Sequence, residues 1–174
     1  EPVNSPLAHV KLCKIPLALE RFCHLSNSVA MPIIQLETNI AAPVERVFDL
    51  ARSIDAHTST TEGTGERAVD GRTSGLIEAG ETVTWEAKHL GVRQRLTSKI
   101  TAMERPDFFV DEMQQGAFAT MRHRHEFTAD GDGTLMRDIF EFTAPLGPLG
   151  WLAEKMFLTA YMKKFLVQRN AGLK

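Results

Sequence analysis

The sequence predicts an α+β fold in which a curved antiparallel sheet of about seven strands wraps around a long C-terminal helix. A strand pattern at residues 34–40 leads into a helical pattern, alternating segments fill residues 82–143, and an apolar helical segment follows at about 148–170. Short strands with one polar face are typical of antiparallel sheets. Such a sheet buries its apolar face against a helix, which gives the predicted two-layer arrangement.

The first strand is followed by two short helices. Apolar and polar residues alternate over residues 34–40, as expected of a half-buried strand. Pro43 suits the first turn of a helix, and the apolar stripe of that helix consists of Val44, Val47, Phe48 and Ala51. Residues 52–65 are rich in Ser, Thr and Gly, and they predict a short second helix followed by a loop.

A series of strands occupies the middle of the chain. Alternation with a period of two predicts strands at Thr82–His89, Val92–Ile100, Phe108–Gln114, Thr120–Thr128 and Thr134–Thr143. Leu90-Gly91 predicts the turn between the first two, and residues 130–133 (Asp-Gly-Asp-Gly) predict a hairpin turn between the last two.

The last predicted helix runs from about Pro148 to Asn170, with Gly172 as its stop. Apolar residues cover most of its circumference, and a helix of this kind is expected to be buried on several sides. We expect one side to pack on the sheet. The remaining apolar surface is expected to contact either a second subunit, giving a homodimer, or residues 1–30.

Residues 1–30 lie outside the pattern of the domain. Prolines interrupt this segment repeatedly, and it contains no continuous apolar run of the length that a signal peptide needs. We therefore predict an N-terminal extension at residues 1–30, serving as an upstream or a packing segment, and a single domain at residues 31–174. Met31 is the expected natural start.

Composition and charge exclude several classes of protein. The chain has 174 residues, of which 43% are hydrophobic and 24% charged, as in a single globular domain. A net charge of −2 argues against nucleic-acid binding, and no apolar run is long enough to predict a transmembrane segment. The two cysteines, Cys13 and Cys23, precede the domain, which excludes a thiol nucleophile within it. We expect free thiols and a cytoplasmic protein.

Four short motifs carry a resemblance to a known family. They are IAAPVERVFD at residues 40–49, GETVTWEAKHLG at 80–91, RHRHEF at 122–127 and PLGPLG at 145–150. In their order and spacing, residues 32–170 resemble the START-like, or SRPBCC, superfamily, and in particular its bacterial polyketide cyclase/dehydratase and lipid-transport branch. The resemblance implies a helix-grip fold with a deep cavity for an apolar small molecule. It does not imply one activity, because the superfamily includes carriers and cyclases.

Alternate positions of a strand share a face, so the strands predict which side chains line such a cavity. With Phe127 and Phe140 facing inward, the predicted ligand-binding residues are Trp85, Gln94, Leu96, Met121, His123, His125, Phe127, Asp138, Phe140, Met156 and Phe157. The phase of the strand at Phe108–Gln114 stays open. Either Asp111 with Met113 or Glu112 alone faces inward.

His123, His125 and Asp138 are the chemically distinctive members of this set. Buried polar groups need partners, so these three either satisfy one another in a filled core or orient the polar atoms of a ligand. If the protein is an enzyme, they are the predicted catalytic residues, with a histidine as general acid or base. Two histidines and Asp138 also match a Zn or Fe(II) ligand set. A His-x-His pair is a weak signal, however, and we predict neither a metal nor a cofactor.

Three functions follow as hypotheses. The first is binding of a small apolar or lipid-like molecule, by a carrier or a sensor. The second is a cyclase or dehydratase that uses a cavity histidine, and the third is a non-catalytic interaction module that dimerises through the last helix. His57, in a loop at or near the cavity entrance, and His89, at a strand end, are not included in the predicted site.

Overall fold

The computed structural model describes residues 32–174, apart from the side chains of residues 62 and 154. The predicted N-terminal extension, with Cys13 and Cys23, lies outside the described residues.

Seven antiparallel strands form one curved sheet, as predicted. The strands are β1 (Ile33–Ile40), β2 (Arg67–Gly71), β3 (Thr82–His89), β4 (Val92–Glu104), β5 (Phe108–Gln115), β6 (Thr120–Asp130) and β7 (Gly133–Thr143). They lie in the order β1-β7-β6-β5-β4-β3-β2. Neighbours in sequence are thus neighbours in the sheet from β2 to β7, whereas β1 joins the far side of β7.

Two short helices follow β1 and a long helical segment ends the chain. They are α1 (Val44–Ala51), α2 (Ile54–Thr60), α3 (Gly147–Ala153) and α4 (Thr159–Ala171). A π-helical segment at Glu154–Leu158 joins α3 to α4, so the predicted single helix contains a change in its winding. The lack of a side chain at Gly150 allows α3 to pack closely against the preceding loop. A Cβ at this position would lie only 1.8 Å from the Pro145 carbonyl oxygen.

The predicted turns and strand phases explain the register. Leu90 and Gly91 both have positive φ angles, 51° and 82°, which suit a two-residue hairpin turn. In β6 and β7, alternate side chains are buried from Met121 to Phe127 and from Met136 to Phe142.

The open phase of β5 is resolved in favour of Asp111. It contacts His125 across the strands, whereas Glu112 pairs with Arg122 on the other face.

Two apolar clusters pack on the inner face of the sheet. The first lies under α1 and α2 and includes Val47, Phe48, Ile54, Phe109 and Phe127. The second lies under α4 and includes Met121, Phe140, Phe142, Met162 and Leu166. The buried polar side chains described below lie at the boundary between the two clusters.

Within the described residues, the first half of the last helix is not buried on several sides, and its expected contact with a second subunit or with residues 1–30 stays a prediction. Leu149 is 66% exposed, Met156 is 72% exposed, and Trp151, Leu152 and Phe157 are also exposed in the described part of the chain. Only the second half, with Met162 and Leu166, is packed firmly on the sheet. No helix among residues 32–174 has the length and apolar character that crossing a membrane would require.

Candidate functional site

A cavity of about 340 Å³ lies between the sheet and the C-terminal helical segment. Its walls are mainly apolar, and they include Trp85, Leu96, Met121, Phe140, Phe157 and Phe165. Four strands contribute to the inner wall, because the inward side chains of β3, β4, β6 and β7 meet at this point. Leu146 and Leu149 also line the cavity, and because both are largely exposed, they mark its mouth.

A second, smaller cavity of about 120 Å³ is lined mainly by buried side chains, and it is called the deeper cavity below. It adjoins the larger cavity, because both are lined by Glu66, Trp85, Met121, Phe140, Met162 and Phe165. Its distinctive lining is polar, with Asp111, His123 and His125 on the sheet side and Arg169 on α4.

The carboxylate of Asp138 holds the polar groups of the deeper cavity together. Asp138 is fully buried, and it accepts a 2.9 Å hydrogen bond from Nε2 of His123 and a 2.5 Å hydrogen bond from Nδ2 of Asn170. Nδ1 of His125 lies 2.7 Å from Oδ1 of Asp138, but the direction of its N–H bond does not give a hydrogen bond. The guanidinium of Arg169 lies 4.0 Å from the same oxygen.

Asp111 approaches the two imidazoles from the opposite side. Its Oδ2 lies 3.3 Å from Nε2 of His125 and 4.0 Å from Nδ1 of His123. The ring of His125 therefore lies between two carboxylates, and it stacks on the ring of Phe109 with centroids 4.3 Å apart.

The pKa values of the two histidines are shifted in opposite directions. Burial lowers the pKa of His123, the neighbouring His125 lowers it further, and the value falls to about 4. Burial also lowers the pKa of His125, but Asp111 and Asp138 outweigh it and raise that pKa above its usual value. Burial raises the pKa of Asp138, but the two imidazoles outweigh it and hold the pKa well below its usual range. The cluster thus places an imidazole that favours the neutral form beside one that favours the charged form.

A further polar group consists of His57, Glu66, His89 and Tyr161. Glu66, His89 and Tyr161 line the larger cavity, whereas His57 lines the deeper cavity, which Glu66 also contacts. Oε2 of Glu66 lies 2.6 Å from Nε2 of His57, and Oε1 lies 3.4 Å from Nε2 of His89. Nδ1 of His89 shares a 2.9 Å hydrogen bond with the hydroxyl of Tyr161. Burial raises the pKa of Glu66, but hydrogen bonds from His57 and His89 outweigh burial and lower the pKa to about 2. The carboxylate is therefore ionised, although its side chain is only 9% exposed.

The predicted site residues fall into three groups. Trp85, Gln94, Leu96, Met121, Phe140 and Phe157 line the larger cavity. His123 and His125 line the deeper cavity, together with Asp111. The remaining three, Phe127, Asp138 and Met156, line neither cavity.

Each of these three differs from the expectation for a physical reason. Phe127 is packed against Phe48 in the core under α1, with ring centroids 5.2 Å apart. Asp138 lies behind the imidazoles, which separate it from the cavity. Met156 is on the outer side of the π-helical segment, where the predicted α-helical periodicity no longer applies.

The sequence does not predict the polar group formed by Glu66, His89 and Tyr161 in the larger cavity. Glu66 lies just before the short edge strand β2, which has too few residues to give a clear alternation. His89 was considered as a strand end and His57 as a loop residue. The parity of His89 with Trp85 and Ala87 on β3 was the available signal that it faces inward. Tyr161 is surrounded in the sequence by apolar residues of the helix, so no pattern distinguishes it as a polar cavity residue.

Comparison with known proteins identifies the family. A sequence profile described as "Polyketide cyclase / dehydrase and lipid transport" matches residues 31–174. No curated protein matches the chain in sequence.

Solved structures share the fold at low sequence identity. TTHA0849 from Thermus thermophilus is 18% identical, with a TM-score of 0.64 over 82% of this chain and 97% of that one. A START superfamily protein from Mycobacterium smegmatis is 15% identical, with a TM-score of 0.63 over 80% and 94% of the two chains. Major latex-like protein 151 from Panax ginseng is 14% identical, with a TM-score of 0.57 over 82% and 95%. These similarities establish the fold.

Proposed function

This chain belongs to the polyketide cyclase / dehydrase and lipid transport family, and from that premise we propose that it binds a small, mainly apolar molecule between sheet and helix. The observation that carries the proposal is the 340 Å³ cavity with its aromatic and aliphatic wall. Cavities that hold small molecules start at about 300 Å³ and combine apolar walls with a few polar groups. A lipid-like or aromatic molecule with one polar end matches this lining.

The polar end of the ligand is proposed to contact His89, Tyr161 and Glu66. These side chains line the larger cavity, whereas His123 and His125 line the deeper one. The hydrogen bond between His89 and Tyr161 leaves lone pairs on the tyrosine oxygen that accept from a ligand hydroxyl. Because Glu66 is ionised beside His89, an anionic end placed near Glu66 would be repelled, and the proposal favours a neutral one.

Filling the cavity tests the binding proposal. Ala87 is buried on β3 and lines the cavity, so Ala87→Phe places a ring in the space proposed for the ligand. Ala129→Phe is the matched control, because Ala129 is exposed on β6. With the neutral fluorescent probe N-phenyl-1-naphthylamine, we expect Ala87→Phe to weaken binding at least about tenfold, or about 1.4 kcal/mol. Ala129→Phe should leave the affinity within about twofold.

Native mass spectrometry of the purified wild-type chain, followed by solvent extraction, identifies the class of any molecule that copurifies. Equal probe binding by wild type and Ala87→Phe would contradict the proposed site.

A second candidate function is acid–base catalysis by the deeper cluster. The observation that favours it is the pairing of a neutral His123 with a His125 of raised pKa, one ready to accept a proton and the other to donate one. Once a bound molecule is identified, His123→Gln should keep its affinity within about threefold and lower turnover by about 100-fold. Absence of any turnover by the wild-type protein would favour a carrier, and unchanged turnover in His123→Gln would exclude His123 as the catalytic group.

Self-association through the C-terminal helix is the third candidate, and we propose a second copy of the chain as the partner. The supporting observation is the exposed apolar side chains of Leu149, Trp151, Leu152 and Met156, because apolar patches of this kind mark interaction surfaces. Sedimentation velocity should detect a dimer that Met156→Lys converts to a monomer. Val92→Lys, at an apolar residue that is 59% exposed on β4, should leave the dimer intact. A monomeric wild type would exclude this candidate.

A further inference from the structure

We propose that Asp111, His123 and His125 bind one divalent transition-metal ion at the base of the deeper cavity. Among residues 32–174, these three form the one group of His, Cys, Asp and Glu side chains whose ligand atoms all lie within 4.8 Å of one another. Two imidazoles and one carboxylate on one side of an ion, with positions left open, form a ligand set used for Zn²⁺ and Fe²⁺. The proposal goes beyond binding of an apolar molecule and does not depend on it.

The orientation of both imidazoles supports a metal site. In each ring one nitrogen faces Asp138, and these are Nε2 of His123 at 2.9 Å and Nδ1 of His125 at 2.7 Å. The opposite nitrogens, Nδ1 of His123 and Nε2 of His125, face Asp111. A ligating histidine typically directs its other nitrogen to a carboxylate, which fixes the ring and strengthens the ligand. Asp138 accepts such a hydrogen bond from His123, and it lies 2.7 Å from the corresponding nitrogen of His125.

The distances fit an ion after a small contraction. Metal–ligand bonds of about 2.1 Å at tetrahedral angles place neighbouring ligand atoms about 3.4 Å apart. Asp111 Oδ2 and His125 Nε2 are already 3.3 Å apart, whereas Asp111 Oδ2 and His123 Nδ1 are 4.0 Å apart. Asp111 on β5 lies directly opposite His123 on β6, and all three ligand atoms lie within 4.8 Å of one another, so rotations of side chains on two paired strands can bring them to an ion.

The charges around the site also favour a cation. Asp111 and Asp138 contribute two carboxylates, and Arg169, 4.0 Å from Asp138, offsets one of them. A divalent ion would balance the remaining negative charge, and its open positions would face the 120 Å³ cavity, where water or an oxygen atom of a bound molecule completes the coordination.

Isothermal titration calorimetry with Zn²⁺, and absorption spectroscopy with Co²⁺, test the site in the full-length chain. Cys13 and Cys23 lie outside the described residues and thiolates bind both ions, so both cysteines are replaced by serine in every protein compared. We expect one ion per chain. Asp111→Asn should lower the association constant at least about 100-fold, because it removes one of three protein ligands.

The matched control is Glu112→Gln, at the next residue of the same strand. The Glu112 side chain lies on the opposite face of the sheet beside Arg122, and the control should stay within about threefold of the parent protein. Circular dichroism verifies that each variant is folded. The proposal is overturned if the parent protein binds no ion at 1 mM Zn²⁺, or if Asp111→Asn and Glu112→Gln bind equally well.

A measurement without substitution in the site keeps the proposal testable if Asp111→Asn does not fold. When Co²⁺ is added to the ¹⁵N-labelled parent protein, its unpaired electrons should strongly shift the ring nitrogen signals of His123 and His125. The signals of His57 and His89 should move much less. Shifts confined to His57 and His89, or to the histidines in residues 1–31, would assign the ion to another site and overturn the proposal.

Discussion

At the scale of single residues, Asp138 organises the deeper cluster. Its carboxylate has no exposure to solvent, and a buried charge without partners is costly. The hydrogen bonds from His123 and Asn170 and the nearby charge of Arg169 stabilise the ionised form. Because the ionised Asp138 attracts protonated imidazole while mutual repulsion prevents both rings from being charged, only one histidine takes up a proton readily.

We predict that His123 and His125 titrate separately. The pKa of His123 is about 4 and that of His125 is raised above its usual value of 6.5, so at pH 5.5 His125 is charged while His123 is neutral. Two-dimensional NMR of the ring nitrogens, recorded from pH 8 to pH 4, distinguishes the two forms. A single titration near pH 6.5 for both buried rings would contradict the prediction.

The two histidines also contribute to the free energy of unfolding, and their contributions depend on pH in opposite directions. The folded protein binds a proton at His123 less readily than the unfolded chain does, so this contribution is complete above pH 6.5 and is lost as the pH falls towards 4. The raised pKa of His125 gives a contribution that is complete below pH 6.5 and is lost as the pH rises through the folded value. The contributions oppose each other near pH 6.5, which is why the titrations are best followed ring by ring.

At the scale of elements, α4 is joined to the sheet by polar as well as apolar contacts. Asn170 donates to Asp138 on β7 and to Thr38 on β1, and Arg169 donates to the carbonyl of Ala51 at the end of α1. The last turn of the helix therefore contacts three elements through buried groups. The first half of the helical segment has no comparable anchors in the described part of the chain, and its apolar side chains remain exposed.

We predict that Asn170→Ala lowers the free energy of unfolding by about 1–3 kcal/mol, because it leaves the buried Asp138 with one donor fewer. Gln168→Ala is the matched control on the same turn. The Gln168 side chain is exposed, and its removal should change stability by less than about 0.5 kcal/mol. Urea denaturation followed by circular dichroism measures both. Equal effects of the two substitutions would show that the Asn170 contacts do not anchor the helix.

The sequence was sufficient for elements with clear periodicity and insufficient for those without it. Alternation placed β3, β6 and β7 almost to the residue, and Leu90-Gly91 and residues 130–133 gave the correct turns. Strand β2 was not located individually, since its five residues include a bulge at the sheet edge. The π-helical segment was missed because no pattern in the sequence marks an extra residue in a helical turn.

The candidate site was predictable only where strand parity carries the information. Parity places His123, His125 and Asp138 on one face, and the structure brings all three together. Parity shows which face of the sheet a side chain is on, but not whether that side chain reaches a cavity or lies behind another one. His123 lines a cavity, whereas Asp138 and Phe127, on the same face, do not. Glu66 and Tyr161 meet His89 through long-range packing, and no local pattern in the sequence indicates that contact.

At the scale of the whole molecule, the interior is divided between packed core and open space. The cluster under α1 and α2 is filled with aromatic rings, whereas the region under the helical segment contains the 340 Å³ cavity. Unfilled apolar space lowers stability because side chains lose contacts along its wall. The ligand-free protein is therefore expected to have a lower free energy of unfolding than a variant in which side chains fill this space.

We predict that Ala87→Phe raises the free energy of unfolding of the ligand-free protein by about 0.5–2 kcal/mol while it removes probe binding. The added ring would occupy part of the cavity that Ala87 lines. Ala129→Phe, with its ring in solvent, should change stability by less than about 0.5 kcal/mol. Urea denaturation of delipidated protein measures both variants. A large loss of stability in Ala87→Phe would show that the ring does not fit and that the cavity is narrower than described.

The position of β1 beside β7 has a consequence for biosynthesis. Ile33 pairs with Glu141 and Ile40 pairs with Thr134, so the first strand of the domain acquires its neighbour only when the last strand has left the ribosome. Until then β1 exposes unpaired backbone groups and an apolar face, which are the features that chaperones and aggregation both exploit. Synthesis of this domain therefore ends with a closure step that joins its two ends, and a chain truncated before β7 would leave the ribosome with its first strand unprotected.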